Sequence, residues 1–410
     1  MIHVIGLGVG PADPPPDAMS LIRGSAMVAG GTRILDRLGI EERRRICFTR
    51  ADEFAAHIRA HAAWGDVCVV ADGDPLLFGI GTTLLRFFPA QDLNFRPNVS
   101  AMQAACARFG LPWAHCVPLS MHGRSDLAPL FAALARGSLV AVYTDPEHDP
   151  GRLAQALMER GVQGWRMHVA EALGLPEERL SSLDLDRAAA QSWHPLNLVL
   201  FERMSPPPLD LCLGLDDSLL AHDQELITKQ PVRALALSLL RLAPDSTLWD
   251  LGAGSGAVSL EAARLVPYGR IIAVERHPSR LQHIRENILR TGAWLVEPVC
   301  ADVGEFLARE SSQTTMTPSS PTRIFLGGGA THHTLSRCCD LLHPGGYMVV
   351  SAVLLSTLVM TRSLLSERGW PCTIHQIAHN KSVPLGKDLR FVPSNPVFLV
   401  ETHKHQAMHE

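Results

Sequence analysis

The sequence predicts an α/β protein with mostly parallel strands, divided into two domains. Three observations predict this class. Apolar strand segments alternate with helical segments from the start, the 410 residues exceed one ordinary core, and a proline-rich stretch separates two such regions. We expect a first domain over residues 1–204, a linker over 205–211 that contains SPPP, a second domain over 212–402 and a tail over 403–410.

The first domain begins with a short strand, Val4–Leu7, and a loop with glycines at alternate positions. Four prolines follow, Pro11 and Pro14 to Pro16, and delay the first helix to about Asp17. Proline has no N–H to offer a pyrophosphate, so this is not a dinucleotide-binding loop. A tight turn and a loop for another ligand both remain open. Later strands are expected over Asp66–Ala71 and Asn197–Arg203.

The second domain restarts the pattern with a helical stretch, Val232–Leu242, and a strand, Thr247–Leu251. Further strands are expected to end at Glu275 and to cover Arg323–Leu326. The polar segment between residues 310 and 322, rich in serine, threonine and proline, predicts a mobile loop.

Composition excludes several classes of function. The net charge is −4 without a basic run, which argues against a nucleic-acid partner. Nine cysteines occur without a Cys-x-x-Cys pair, so we expect reduced thiols in the cytoplasm and no metal site. Strand-forming residues begin at Ile2, which leaves no room for a signal peptide. Gly345–Met360 is too short to span a membrane and predicts a buried strand leading into a helix.

The segment TLWDLGAGSGAVSLEAA, from Thr247, predicts a strand, a glycine turn and a helix in that order. Asp250 at the strand end would repel a pyrophosphate but suits the ammonium and sulfonium of S-adenosylmethionine. Glu275 ends the next strand, where a carboxylate can accept both ribose hydroxyls. Asp302 lies on the following turn, where methyltransferases of this architecture bind adenine. A nicotinamide or flavin domain is the alternative ligand class.

The loop GGGATHH follows the fourth strand of this domain and bears on the methyl acceptor. Enzymes that methylate base amino groups often carry an Asn/Asp-Pro-Pro-aromatic motif there, and this loop lacks it. Glycines leave space for a large flat substrate. His332 and His333 on this loop either contact that substrate or are solvated.

Several motifs together resemble known families. The segments VIGLGVGPADP, ADGDPLLFGIG, PNVSAMQAACARFGLPW, LSMHGR and VYTDPEHDPGRLAQAL resemble the tetrapyrrole methylase family, above all its cobalamin-pathway members. LITKQPVRALAL, WDLGAGSG, GGGA, LLHPGG and NPVFLV resemble the decarboxylating precorrin methyltransferases. The resemblance covers nearly the whole chain. It implies a two-lobed tetrapyrrole methylase domain followed by a Rossmann-like S-adenosylmethionine-dependent methyltransferase domain, with a cofactor site in each.

The resemblance also implies which residues hold the cofactor. In the first domain these are Gly73, Asp74, Ile80, Ser100 and Ala101. In the second domain they are Thr228, Asp250, Gly252, Gly254, Ser255, Gly256, Glu275 and Asp302. The chain departs from the family at Asn98, where glycine is common, and we expect asparagine to tolerate a left-handed backbone there. A glutamate is also often found where this chain has Pro231.

The implied activity is methylation of two bridge carbons of a reduced tetrapyrrole and decarboxylation of an acetate arm. Carbon 5 would fall to the first domain, and carbon 15 with the carbon-12 acetate to the second. Candidate catalytic residues that carry protons are His222, Glu225, Lys229, His332 and His333, with Lys381 as a further candidate. Candidate substrate residues for the carboxylate arms are Arg124, Arg233, Lys381 and Arg390.

Other functions remain as alternatives: a two-domain NAD-type oxidoreductase, a scaffold or sensor, or a methyltransferase of another substrate. The expected partner is a small-molecule tetrapyrrole, and we expect a homo-oligomer with no nucleic-acid or membrane partner. The histidines of the tail, HKHQAMHE, suggest either metal binding or a solvated terminus, and we expect the latter.

Overall fold

The computed structural model describes residues 1–10, 14–223, 227–311 and 320–405. The chain forms two compact units. The first comprises Met1–Arg124, Gly137–Met158 and Trp165–Met204, and the second comprises Ser125–Arg136, Glu159–Gly164 and Ser205–Glu410. The division at Met204 lies beside the expected linker, and two short earlier segments group with the second unit.

The first unit begins with a five-stranded parallel sheet, in the order β3-β2-β4-β1-β5. Its strands are β1 (Ile2–Gly6), β2 (Met27–Gly30), β3 (Arg45–Cys47), β4 (Val67–Ala71) and β5 (Leu93–Arg96). The helices along this part of the chain are α1 (Pro16–Gly24), α2 (Thr32–Arg37), α3 (Ala51–Ala62) and α4 (Ile80–Leu84). Strands β1 and β4 are buried at every residue, as expected for the centre of a parallel sheet covered on both faces.

A second five-stranded sheet has the order β6-β7-β10-β8-β9. Its strands are β6 (Cys116–Ser120), β7 (Leu139–Tyr143), β8 (Trp165–Glu171), β9 (Arg179–Leu183) and β10 (Asn197–Arg203). The helices of this stretch are α5 (Ala101–Phe109), α6 (Ala128–Arg136), α7 (Pro150–Glu159) and α8 (Leu185–Ala189). Only β6 and β7 pair in parallel, so the expectation of mostly parallel strands is wrong for this sheet. The β8–β9 connection is too short for a parallel crossover.

The second unit contains a seven-stranded sheet in the order β13-β12-β11-β14-β15-β19-β16. Its strands are β11 (Thr247–Leu251), β12 (Arg270–Glu275), β13 (Val296–Cys300), β14 (Arg323–Leu326), β15 (Tyr347–Ala352), β16 (Thr373–Ile377) and β19 (Val397–His403). The first five in this order are parallel, and β19 lies antiparallel between β15 and β16. A separate hairpin consists of β17 (Asn380–Leu385) and β18 (Asp388–Pro393).

Six helices are described along the second unit's sheet: α9 (Gln230–Leu239), α10 (Ala257–Leu265), α11 (Pro278–Thr291), α12 (Val303–Ser311), α13 (His332–Leu341) and α14 (Leu355–Glu367). The chain proceeds from β11 to one edge and then returns to place β14 on the other side of β11. The strand order therefore reverses between β11 and β14. In open α/β sheets, ligands bind at the carboxyl ends of the strands at such a point.

The prediction for Gly345–Met360, a buried strand leading into a helix, is confirmed by β15 and the start of α14. Within the described ranges, no helix is long and apolar enough to cross a membrane. Most of the expected mobile loop, residues 312–319, and the end of the tail, residues 406–410, lie outside the described residues.

Candidate functional site

Two glycine loops of the first unit bind each other through their backbones. Gly73 donates its N–H to the carbonyl of Gly8 at 2.7 Å, and Gly8 donates to Gly73 at 3.3 Å. Both have positive φ, 74° at Gly8 and 67° at Gly73. A Cβ atom at Gly6 would lie 2.6 Å from the Gly73 oxygen. The opening loop is therefore shaped to lie against the Gly-Asp-Pro loop, which requires glycine at these positions.

These loops border a cavity of about 280 Å³ within the first unit. Four of the five predicted cofactor residues of this domain line it: Gly73, Asp74, Ser100 and Ala101. Ile80 does not, because it begins α4 and lines a separate cavity of about 360 Å³ with Phe48, Phe54 and Phe78. The structure thus brings together four of the five residues.

Asp74 and Asn98 fix the loops around the first cavity. Asp74 accepts from the backbone N–H of Leu76 at 2.8 Å and of Asn98 at 3.3 Å. The Asn98 side chain donates to the Gly6 carbonyl at 3.0 Å. Asn98 is not among the residues with positive φ, so the expected left-handed backbone is wrong. Its amide instead ties the turn to the end of β1.

Ser100 caps α5 and shapes the opposite wall of the cavity. Its hydroxyl accepts from the Gln103 N–H at 3.2 Å, while the Gln103 side chain accepts from the Ser100 N–H at 2.9 Å. This reciprocal capping fixes the start of the helix. Ser100 itself is buried, and its hydroxyl is engaged within this cap.

The sequence analysis missed Tyr143 and Phe78. Tyr143 lines the cavity, and its hydroxyl accepts from the Met102 N–H at 3.3 Å. Burial raises the pKa of Tyr143, so the phenol stays protonated. The ring of Phe78 packs edge-on against the ring of Tyr143, with 5.3 Å between the ring centroids. Phe78 also has a φ of 53°, a strained backbone conformation for a bulky residue. Only its position after the Gly-Asp-Pro motif could have marked Phe78.

In the second unit, Asp250 is buried at the end of β11. One carboxylate oxygen accepts from the Ser259 hydroxyl at 2.6 Å and from the Ser259 N–H at 3.2 Å. The other oxygen has no hydrogen-bond partner among the described residues. Burial raises the pKa of Asp250 to about 6, and the charge of Glu275 adds to this. Asp250 therefore holds the first turn of α10, while its other oxygen is buried without a hydrogen-bond partner in the part of the chain that the structure describes.

Glu275 folds over the glycine turn that follows β11. Its carboxylate accepts from the Gly254 N–H at 3.0 Å and from the His277 N–H at 2.9 Å. The N–H groups of Gly252 and Ala253 both reach the Val274 carbonyl at 2.9 Å. These bonds bring the predicted ribose-binding carboxylate directly onto the predicted cofactor turn.

Two further residues complete the glycine turn. Gly256 has a φ of 77° and begins α10, and Ser255 beside it is buried. Asp302 is exposed and accepts from the Gly304 N–H at 2.8 Å, at the start of α12. The Ala301 N–H donates to the Glu275 carbonyl at 3.2 Å, which places the Asp302 turn next to Glu275.

The triple glycine after β14 packs against the turn after β11. Gly327 donates to the Leu251 carbonyl at 2.9 Å, and a Cβ atom at Gly252 would lie 2.7 Å from Gly328. Small residues are therefore needed here for close backbone approach. The sequence analysis placed His332 and His333 on this loop, which is wrong, because they form the first turn of α13 and are exposed. Thr331 caps the start of α13, so the glycine loop ends at Thr331, before the two histidines.

Arg233 is a correction to the predicted substrate contacts. It is fully buried and donates to Glu261 at 2.8 Å, to Asp217 at 2.7 Å and to the Thr228 carbonyl at 2.6 Å. With its donors engaged inside the fold, Arg233 cannot reach a carboxylate arm. Its contact does fix the backbone of Thr228, a predicted cofactor residue.

The segment with His222 lies beside the glycine turn because Asn287 of α11 binds both. Asn287 is buried, accepts from the Ala221 N–H at 2.8 Å, and donates to the Ala221 carbonyl at 2.9 Å and the Ser255 carbonyl at 3.0 Å. His222 Nδ1 bonds the Leu220 carbonyl at 2.8 Å. The sequence analysis missed Asn287. Its one signal in the sequence is a polar residue at a position on the apolar face of a helix.

Asp223 fastens the same segment to α11. It accepts from His283 at 2.8 Å and from Arg280 at 3.2 Å, and both bonds lower its pKa. Lys229 immediately precedes α9. Glu225, another predicted proton carrier, lies outside the described residues.

The remaining predicted substrate residues are exposed. Lys381 and Arg390 lie on the two strands of the β17–β18 hairpin, and Lys381 is 3.9 Å from Asp216. Arg124 donates to the Ser120 carbonyl at 2.8 Å and does not line the first unit's cavity. Within the described ranges, no three or more His, Cys, Asp or Glu side chains are grouped to hold a metal ion.

Comparison with known proteins identifies related families for both halves. A family described as "Tetrapyrrole (Corrin/Porphyrin) Methylases" matches residues 1–189, and one described as "Precorrin methyltransferase domain" matches residues 218–404. The precorrin-6Y C(5,15)-methyltransferase [decarboxylating] of Mycobacterium tuberculosis H37Rv is 33% identical over 81% of this chain and 81% of its own length.

Two shorter relatives from Salmonella typhimurium each match about half of the chain. The cobalt-precorrin-6B C(15)-methyltransferase (decarboxylating) is 33% identical over 47% of this chain and 96% of its own length. The cobalt-precorrin-7 C(5)-methyltransferase is 32% identical over 50% of this chain and 100% of its own length.

Proposed function

Because the chain belongs to the family of precorrin-6Y C(5,15)-methyltransferases (decarboxylating), we propose that its two domains divide the reactions between two S-adenosylmethionine sites. The protein methylates two bridge carbons of precorrin-6Y and decarboxylates an acetate arm to give precorrin-8, a step of cobalamin biosynthesis. We assign carbon 5 to residues 1–204, and carbon 15 with the carbon-12 acetate to residues 212–402. The shorter relatives support this division, since their names separate C(5) from C(15) methylation.

The observation that carries the division is that each unit has its own glycine loop at the carboxyl ends of its own parallel strands. In the first unit, Gly8 and Gly73 lie beside a cavity of about 280 Å³. In the second, Gly252 and Gly328 meet where the strand order reverses. Neither set of residues contributes to the other's sheet.

The residues of both sites fit S-adenosylmethionine. In the second unit, the unpartnered oxygen of buried Asp250 can accept from an ammonium group, and Glu275 can accept from ribose hydroxyls. Gly252 is packed directly against the backbone of Gly328, so the two glycine turns that would hold the cofactor are fixed against each other. In the first unit, the main chain of Gly73 and Ala101 would hold the cofactor. When bound, the cofactor supplies a methyl group on a cationic sulfur.

The protein's part in methyl transfer is alignment and exclusion of water. The acceptor is an electron-rich, enamine-like bridge carbon, which needs no strong base. Leu77, Leu173 and Leu198 line the first cavity with apolar surface, and Tyr143 presents a neutral phenol. Such a lining would keep water away from the reacting methyl group and hold the cofactor in one orientation.

Decarboxylation leaves an electron pair that flows into the conjugated ring, and a proton donor must then protonate carbon. We assign this role to His222, because Asn287 holds its segment against Ser255 of the cofactor turn. Its Nδ1–H donates to the Leu220 carbonyl, so Nε2 is the atom that takes up and delivers the proton. Lys229 and Glu225 follow on the same segment and are the next candidates. His332 and His333, on the first turn of α13, follow the glycine loop that packs against the cofactor turn and are the remaining candidates.

Isothermal titration of the full-length protein with S-adenosylhomocysteine tests the two-site proposal. We expect two sites per chain in the wild type, and an affinity about tenfold or more weaker at one of them in Asp250→Asn, since a charge-assisted hydrogen bond is lost. At a cofactor concentration that saturates only the wild-type sites, product masses should then show that Asp250→Asn adds mainly one methyl group and releases little carbon dioxide. One site per wild-type chain would contradict the proposal.

An NAD-type oxidoreductase, one of the alternatives from the sequence, is wrong given the family of the chain.

We further propose a homo-oligomer that works in the cytoplasm. The exposed apolar side chains Leu389 and Phe391, which lie two residues apart on one face of the β17–β18 hairpin, support self-association, since exposed apolar surface marks interaction sites. Light scattering of the purified chain gives its mass in solution, and a monomer would contradict this proposal.

A further inference from the structure

Helix α2 places two arginines at the mouth of the first unit's cavity. Arg33 and Arg37 are one helical turn apart, and both line the cavity. Both pair with Asp72, which follows β4: Arg33 at 2.6 Å and Arg37 at 3.3 Å. Arg37 also donates to the carbonyl of Gly10 at 3.1 Å, in the opening glycine loop. Neither arginine belongs to the contacts predicted from the sequence.

The charges at this mouth are unequal. Two guanidinium groups share the single carboxylate of Asp72. The other carboxylate that lines the cavity, Asp74, accepts from the N–H groups of Leu76 and Asn98 and does not pair with the arginines. On the α2 side of the cavity, two guanidinium groups therefore face one carboxylate, which leaves a net positive charge of one.

The arginines are also accessible. The side chain of Arg33 is 66% exposed, that of Arg37 is 28% exposed, and that of Asp72 is 40% exposed. Partly solvated ion pairs of this kind are weak, so another carboxylate can replace Asp72 at little cost. Planar guanidinium forks are well suited to binding such a carboxylate through two parallel hydrogen bonds.

We propose that Arg33 and Arg37 bind the peripheral carboxylate arms of the tetrapyrrole as it enters the N-terminal site, in exchange for Asp72. This rests on the proposed function, in which the substrate is a tetrapyrrole with acetate and propionate arms. Residues one turn apart on a helix are about 5–6 Å apart at Cβ, so the two forks can bind neighbouring arms. The methionine carboxylate of the cofactor is a poorer match, because its own ammonium group lies beside it and cancels its charge.

The test uses full-length variants Arg33→Gln, Arg37→Gln and the double variant. Arg50→Gln is the matched control, because Arg50 is 75% exposed, pairs with Asp52 and does not line the cavity. We expect the double variant to raise KM for the tetrapyrrole in C5 methylation about tenfold or more, with kcat and the affinity for S-adenosylhomocysteine within about twofold of wild type. Arg→Lys variants should restore part of the loss, since they keep the charge but not the fork.

A binding measurement makes the result independent of turnover. Fluorescence titration with uroporphyrin, which has a carboxylate on every arm, should show weaker binding to the double variant than to wild type or Arg50→Gln. Its methyl ester should not distinguish these proteins. Unchanged KM and unchanged uroporphyrin binding in the double variant would overturn the proposal, and so would a loss of S-adenosylhomocysteine affinity. Failure of the wild type to methylate any tetrapyrrole would count against the proposed function, while the titration still decides the role of the arginines.

Discussion

At the scale of single residues, Asp250 combines two roles that conflict. It is buried, and its two bonds to Ser259 stabilise the start of α10. Its second oxygen lacks a partner, which is unfavourable for a buried carboxylate unless a ligand donates to it. We expect a cationic cofactor, if it binds as proposed, to remove this unfavourable contribution by donating to the second oxygen.

The raised pKa of Asp250 predicts a pH dependence of stability. The folded protein binds this proton more tightly than the unfolded chain, with a pKa of about 6 against 3.8. The stabilising contribution is therefore complete below about pH 4 and is lost as pH rises through about 6. The loss amounts to roughly 3 kcal/mol at most. Thermal unfolding of the second unit should show wild type falling relative to Asp250→Asn between pH 4 and pH 7.

Asp388→Asn is the control for removal of a carboxylate by itself, since Asp388 is exposed on the β17–β18 hairpin. A difference between wild type and Asp250→Asn that stays constant from pH 4 to pH 7 would contradict the assignment of the shift to Asp250.

Arg233 yields a second prediction at the residue scale. It forms a fully buried ion pair with Glu261, so Arg233→Met leaves an uncompensated carboxylate in the core. We expect a loss of about 3–5 kcal/mol in stability, measured by denaturant unfolding. Arg390→Met, on the exposed hairpin, should leave stability nearly unchanged. A stable Arg233→Met protein with a raised KM for the tetrapyrrole would instead restore Arg233 as a substrate residue.

At the scale of elements, α11 holds the segment that contains His222 beside the glycine turn of the second unit. Its Asn287 joins the Ala221 segment to the Ser255 carbonyl, and its Arg280 and His283 hold Asp223. The segment that contains His222 therefore depends on one helix for its position. This arrangement is absent from any local motif, because the partners are more than 30 residues apart along the chain.

Asn287→Asp tests this dependence with little change in shape. The aspartate keeps an acceptor for the Ala221 N–H but loses the donor to the Ala221 and Ser255 carbonyls. We expect decarboxylation to fall by about tenfold or more, while C5 methylation stays as in wild type. Product masses with time report both. Gln282→Glu, an exposed amide on the same helix, should change neither, and equal losses of both reactions would indicate a general structural defect instead.

The sequence predicts an element well when the signal lies within that segment, and poorly when it depends on contacts with distant parts of the chain. β11 and β10 were predicted to the residue, since apolar runs bounded by turn residues are local signals. The antiparallel direction of most strands in the sheet β6-β7-β10-β8-β9 was not predicted, because it depends on which strands become neighbours in the fold. The same holds for the site: Gly73 and Asp250 stand in local motifs, whereas Asn287, Arg33 and Arg37 act through partners far away in sequence.

At the scale of the whole molecule, the chain joins two units that are matched by separate families. Each unit has its own sheets and its own glycine loops. Relatives of about half this length are matched over 96% and 100% of their own sequences. The domains of this chain therefore correspond to proteins that occur separately.

The division of labour predicts the behaviour of a fragment that starts at about residue 212. Expressed alone, it should methylate one bridge carbon and also release carbon dioxide, because one bound orientation presents both positions on the same edge of the ring. Mass spectrometry of the product checks both changes. A fragment that adds a methyl group without decarboxylation, while residues 1–204 release carbon dioxide, would contradict the assignment. Full-length Asp250→Asn gives the complementary measurement, with C5 methylation alone retained.

The position of β19 has a consequence for biosynthesis on the ribosome. This strand pairs with β15 and β16 at once, and Lys404, directly after it, donates to the carbonyls of Cys339, Asp340 and Leu342 at the end of α13. The sheet cannot close until these residues have left the exit tunnel. We therefore expect the first unit to fold during translation, while the nascent second unit waits with an open sheet edge for its final strand.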